Sequence, residues 1–161
     1  MLGPLQDLAN AVDPGSKRIR VLTVPFANIR LQMSHGIRNM TTDIIVFTDD
    51  NAIWLPMLLP YILACFKDQK VGGVGTSQRV QFVRERMTIG SAHCVQTFHL
   101  ECSTHIDGGL PCLSERTAAY RTIILKDPDF LHGFTHDYWL GKYQLNSGND
   151  KFLTRWLGSS C

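Results

Sequence analysis

The chain has 161 residues with 16 Lys+Arg against 14 Asp+Glu, a formal net charge of only +2, which excludes a polyelectrolyte and disfavours a strongly basic nucleic-acid binder. Its 44% hydrophobic and 19% charged residues describe a globular chain, able at this length to bury roughly 70% of its extended surface. The longest apolar stretch, Leu55 to Phe66, contains Pro56 and Pro60 and falls short of the ~20 residues that span a bilayer.

Along the chain, residues 1–16 read as a tail or short helix closed by the turn cluster Asp13-Pro14-Gly15-Ser16. No cleavable signal peptide is visible. A domain is expected over 17–158, with 159–161 as a short tail. Arg20-Val21-Leu22-Thr23-Val24 reads as a strand. Ile29, Met33, Ile37 and Met40, spaced 4, 4 and 3 apart, mark one face of a helix, and Ile44-Ile45-Val46-Phe47 is a continuous apolar run. Strand, amphipathic helix and unbroken apolar strand predict a βαβ unit whose second strand is buried on both faces, hence an α/β fold. A helix is expected from about Pro56 to Phe66. Val71 to Val80 reads as a strand whose Gly72, Gly73 and Gly75 let something approach its backbone closely. Arg84 to about Ser103 reads as a long helix, and Pro111-Cys112-Leu113 as a short strand entering a helix from Arg116 to Leu125. Asp150 to Leu157 reads as a last helix stopped by Gly158.

Four features could carry chemistry. Asp49-Asp50-Asn51 follows the apolar strand, at the strand end where open parallel sheets bind ligands. Three oxygen-bearing side chains there can reach a hard cation such as Mg²⁺ or Mn²⁺ with a diphosphate completing its shell, or can simply form the turn. Ser147-Gly148-Asn149-Asp150 opens the last helix, where free backbone amides would hold the Asp150 carboxylate ionised and oriented, as a general base requires; an N-cap is the plainer reading. His93, Cys94, His99, Cys102 and His105 crowd together, but the 3 and 3 spacing of His99, Cys102 and His105 matches no familiar zinc pattern. The five cysteines are odd in number and lack a CxxC pair, which fits a reducing compartment better than a disulfide framework. Tyr138, Trp139, Phe152 and Trp156 read as core or as an apolar wall, since the interleaved basic residues of a base-stacking platform are absent. Gly72-Gly73-Val74-Gly75 is not a dinucleotide-binding GxGxxG.

Taken in order, five blocks resemble the catalytic domain of processive family 2 glycosyltransferases, of the fungal hyaluronan and chitin synthase type. FANIRLQMSHGIRN is similar to the helix before the DxD strand, IIVFTDDNAIWLPMLLPYI to the DxD strand and the Trp-Pro segment after it, and VGGVGTSQRV to the next strand. DGGLPCLSERTAAYR is similar to a block written CLSGRTAAYR in relatives, and SGNDKFLTRWL to GDDKFLTRWL. The resemblance covers about Lys17 to Leu157. It implies a partial GT-A fold, a Rossmann-like three-layer sheet with flanking helices. It also implies inverting transfer of a sugar from a UDP-sugar donor to a polysaccharide acceptor, with no nucleic acid as partner.

On the residues, the resemblance implies that Asp49 and Asn51 meet a diphosphate-bound Mg²⁺ or Mn²⁺ and that Asp150 is the general base. Cys112, Leu113, Ser114 and Arg116 would line the donor and acceptor pocket, with Trp139 and Trp156 as apolar wall. Three positions depart from the family pattern: Asn51 and Asn149 stand where relatives carry Asp, and Glu115 where they carry Gly. The family's uridine-binding strand, QxxRW block and transmembrane helices have no counterpart in this sequence. The expectation is a catalytic-domain fragment of a membrane synthase, the alternative being an inactive remnant that serves at most as a binding module.

Overall fold

The computed structural model describes residues 3–15, 18–50, 52–76, 112–113 and 116–159. Helix α1 (Gly3–Val12) ends in the expected turn, with Gly15 at φ +79°. Helix α2 (Ile29–Asn39) is capped by Asn28, whose side-chain oxygen accepts from the Leu31 amide at 3.1 Å. Its buried face is Arg30, Ser34 and Ile37, while Met33 and Met40 pack at the margin of the core and Ile29 is exposed. The apolar stripe legible in the sequence is therefore rotated toward Arg30, which its partners draw inward.

Strand β1 (Ile44–Thr48) forms where the apolar run predicts it. Residues 18–24 are not in a strand, so the expected βαβ unit is absent from the described residues. β1 pairs instead with β3 (Thr117–Arg121), antiparallel, in a register from Ile44 opposite Arg121 to Thr48 opposite Thr117. On its other edge β1 has no strand partner among the described residues. β2 (Gly73–Gly75) lies antiparallel on the far side of β3, giving the order β1-β3-β2 with β1 and β2 mutually parallel. The helix expected from Arg116 to Leu125 is thus a central strand followed by the single turn α4 (Thr122–Leu125). Ala118 and Ala119 favour helix locally, but pairing on both sides and full burial of Ala118, Ala119 and Tyr120 override that preference. The expected long helix at 84–103 and the strand residues 77–80 lie outside the described residues.

The remaining elements are α3 (Leu58–Cys65), α5 (Pro128–Thr135), a hairpin of β4 (Tyr138–Trp139) and β5 (Tyr143–Gln144), and α6 (Asn149–Ser159). Pro60 is accommodated in α3 because the first-turn amides have no intrahelical acceptor. α6 begins one residue before Asp150 and continues through Gly158 rather than stopping there. The hairpin turns through Leu140 (φ +54°) and Gly141 (φ +67°), with the Lys142 amide donating to the Trp139 carbonyl at 3.1 Å.

The sheet has a core on each face. Ile45, Ala118 and Tyr120 pack with Ile37 of α2, Phe130 and Phe134 of α5 and Leu153 of α6; Ala119 packs on the opposite face with Ile62 and Phe66, flanked by Ile44 and Val46. This alternation makes three layers, α2, α5 and α6, then sheet, then α3, so the α/β expectation and the burial of β1 from both sides hold. The close approach expected at the glycines is the packing of α6 on Gly73 and of Leu113 on Gly75. A Cβ on Gly73 would lie 2.6 Å from Leu157 Cδ1, and one on Gly75 would lie 2.7 Å from Leu113 Cδ2. Among the described residues no helix is long and apolar enough to cross a membrane.

Candidate active site

The ladder between β1 and β3 ends at Thr48, and the chain then turns. The Asp49 amide donates to the Arg116 carbonyl at 3.3 Å, the Thr48 hydroxyl donates to the same carbonyl at 3.2 Å, and the Ala52 amide donates back to the Asp49 carbonyl at 3.2 Å. These bonds present the Asp49 carboxylate at the carboxyl edge of β1, with one oxygen 3.9 Å from Arg116 Nε and both side chains about half exposed, 47% and 45%. Such a pair contributes under about 1 kcal/mol to stability, so a ligand can displace this contact at little cost. Trp54 closes the edge, its indole N–H donating to the Thr117 hydroxyl at 2.9 Å. Asn51 and Ser114 lie outside the described residues.

α6 brings the other carboxylate to the same edge. Leu157 lies against Gly73 and Leu113 against Gly75, so toward its N-terminus the helix runs in the direction of the carboxyl end of β2. The Leu113 amide donates to the Thr154 hydroxyl at 2.8 Å, and that hydroxyl donates to the Asp150 carbonyl at 2.8 Å. Leu113 is three peptide units from Arg116, a reach of at most about 11 Å. The segment from half-buried Cys112 through buried Leu113 to Arg116 therefore ties the Asp150 end of α6 to the Asp49 end of β1. Asp150 is half-buried in the first turn of α6, its Oδ1 accepting from the Lys151 amide at 2.8 Å, where the helix dipole favours a negative charge. Asn149 is buried, and its side-chain amide nitrogen lies 3.5 Å from Met33 Sδ of α2.

The two tryptophans separate. Trp156 sits in the aromatic cluster beneath α6, edge-on to Phe130 at 5.6 Å and stacked on Phe152 at 6.3 Å. Trp139 is exposed and stands opposite the exposed Tyr143 across the hairpin, while the exposed Tyr138 stands opposite Gln144. This hairpin precedes the Ser147-Gly148 turn, in which Gly148 adopts φ +71°.

Sequence reasoning missed Arg30. Its side chain is 3% exposed and donates from Nη1 to the Phe134 carbonyl at 3.2 Å and the Asp137 carboxylate at 3.0 Å, and from Nη2 to the Ser147 carbonyl at 2.9 Å. The guanidinium also lies over the rings of Phe134 and Phe152 at 5.4 and 5.5 Å. Arg30 therefore fixes the turn from which Asp150 projects. Asn28 supports it by donating to the Asn146 side-chain oxygen at 2.7 Å. No local signal marks these contacts, because every partner is remote in sequence.

As for a metal, among the described residues no group of three or more His, Cys, Asp or Glu side chains could enclose one. What is present is the hard-oxygen donor Asp49, half exposed at the strand edge. That fits an ion of the Mg²⁺ or Mn²⁺ kind, which binds through one or two carboxylates plus substrate phosphate oxygens, and does not fit a cage made by protein alone.

A three-layer α/β domain with an acidic strand end facing a helix N-terminus has the architecture of a GT-A type domain, and comparison with known proteins places it. Residues 5–160 match the family described as Glycosyltransferase like family 2, and the chain belongs to that family. It is similar to a Type 2 glycosyltransferase of Zymoseptoria tritici, 50% identical over 149 residues, covering 89% of this chain and 31% of that protein. A Type 2 glycosyltransferase of Pyricularia oryzae is 40% identical over 152 residues, 89% of this chain and 31% of that protein. The NDP-glycosyltransferase ltbB of Aspergillus luteorubrus is 32% identical over 148 residues, 85% and 36% respectively. The chain thus spans about a third of the length of the curated relatives it matches. No solved structure matches.

Proposed function

We propose that this domain serves the inverting transfer of a sugar from a UDP-sugar to the growing end of a polysaccharide, as part of a processive synthase that works at a membrane. The observation that carries the reading is the meeting of Asp49 and Arg116 with the N-terminus of α6 at one sheet edge, through the Leu113 to Thr154 hydrogen bond. Asp49 and Asn51 would hold Mg²⁺ or Mn²⁺, which when bound neutralises charge on the departing diphosphate. Arg116 turns from Asp49 toward the phosphates, and Cys112, Leu113 and Ser114 line the space beside them. Asp150 takes the proton of the acceptor hydroxyl as that oxygen bonds to the anomeric carbon; the bond from that carbon to the diphosphate oxygen breaks, and UDP leaves with the electron pair. Trp139 offers the acceptor sugar an apolar face, with Trp156 behind α6 as support.

The test is calorimetric titration of the chain with UDP, with and without Mn²⁺. Binding that requires both and disappears in Asp49→Ala supports the donor site. Metal-independent binding, or binding unaffected by that substitution, sinks it.

A further inference from the structure

We propose that His132 and His136, at the end of α5, form a binding site for one borderline divalent transition-metal ion of the nickel or zinc type. The two imidazoles are exposed and stacked, ring centroids 4.5 Å apart and planes within 8°. They stand four residues apart, His132 in the last turn of α5 and His136 at its C-cap, close to the spacing at which two histidines on one helix share a metal.

Hydrogen bonding sets His136 up as a ligand. The Thr135 hydroxyl donates to the Leu131 carbonyl at 2.8 Å, so its oxygen is left to accept. His136 Nδ1 lies 3.0 Å from that oxygen and 3.1 Å from the His132 carbonyl. A carbonyl can only accept, so in the tautomer that makes this bond Nδ1 carries the proton and Nε2 is left with its lone pair. Metal-bound histidines are held in this way, the second ring nitrogen donating to a backbone carbonyl. Two nitrogens each ~2.0–2.1 Å from one ion lie about 3 Å apart, which the exposed His132 ring reaches by rotating toward the His136 ring that the backbone holds.

Imidazole nitrogens select nickel, copper or zinc, whereas carboxylate oxygens select magnesium or manganese, so this site is chemically separate from the one at Asp49. An ion joining His132 to His136 would clamp the last turn of α5. That turn carries the Phe134 carbonyl, and Asp137 follows directly; both hold Arg30.

The experiment is a titration of the untagged full chain with Ni²⁺, followed by calorimetry and by thermal melting. Nickel is the probe because thiolates compete more strongly for zinc and the chain has five cysteines. The expected result is one Ni²⁺ per chain and a raised melting temperature. Affinity should fall by about tenfold or more in His132→Gln and in His136→Gln, and stay unchanged in His35→Gln. Absence of binding, or binding that either of the first two variants leaves intact, overturns the proposal.

Discussion

Arg30 and Asp137 stand 107 positions apart in the chain and meet at 3.0 Å, the arginine 3% exposed and the aspartate 24%. Their contact joins the first turn of α2 to the segment after α5, and the same guanidinium reaches on to the Ser147 carbonyl. One buried cation thus sets the approach to α6.

Arg30→Ala should be costly, about 3–5 kcal/mol, because Asp137 and two carbonyls lose a charged partner. Arg30→Lys keeps the charge and loses the fork that serves several acceptors at once, so it should cost less, about 1–3 kcal/mol. Urea denaturation of the two variants checks the order. Equal stability of the Arg30→Lys variant and the wild-type protein would show that charge alone suffices.

The ligand linkage at Asp49 makes a second expectation. With only the half-exposed Asp49 and its exposed neighbour Asp50 as described carboxylates on the turn after β1, Mn²⁺ alone should bind weakly and UDP should strengthen it, each raising the other's affinity by the same factor. Arg116→Ala should weaken UDP and leave the metal's own affinity unchanged or higher, since the guanidinium no longer competes for Asp49. Titrations in both orders measure these affinities.

The tryptophans should respond differently to truncation. Trp156→Ala removes a ring packed on Phe130 and Phe152 and should cost about 3 kcal/mol. Trp139→Ala, at a site 61% exposed, should change stability by less than about 0.5 kcal/mol while lowering acceptor binding. Denaturation of the two variants gives the contrast directly.

Gly73→Ala should destabilise by about 1–3 kcal/mol, as its Cβ would press on Leu157 at 2.6 Å and on Leu113 and Tyr120 at 3.2 Å. Shortening the opposing side chain should relieve this. The double variant Gly73→Ala with Leu157→Ala should lose less stability than the two single losses added together. Strict additivity would mean that α6 does not rest on the glycine.

What is legible in the sequence follows from how local each signal is. The apolar run of β1, the helix after Asn28 and the close approach at Gly73 and Gly75 are written in neighbouring residues, and the structure has them. The strand Thr117–Arg121 reads locally as helix because its central place comes from Ile44–Thr48 and Gly73–Gly75, tens of residues away. Asp49, Leu113, Arg116 and Asp150 stand out by motif, and the structure connects them through the Leu113 segment. Arg30 does not, because its acceptors lie more than a hundred positions downstream and a charged residue beside an apolar stripe ordinarily faces solvent.

The edge of β1 that no described strand covers has a consequence outside catalysis. Among the described residues no strand pairs with the outer edge of Ile44-Ile45-Val46-Phe47, and that run carries no proline, lysine or bulge. Where that edge stays uncovered, the row is a template on which a further strand can pair, and folding then competes with edge-to-edge association.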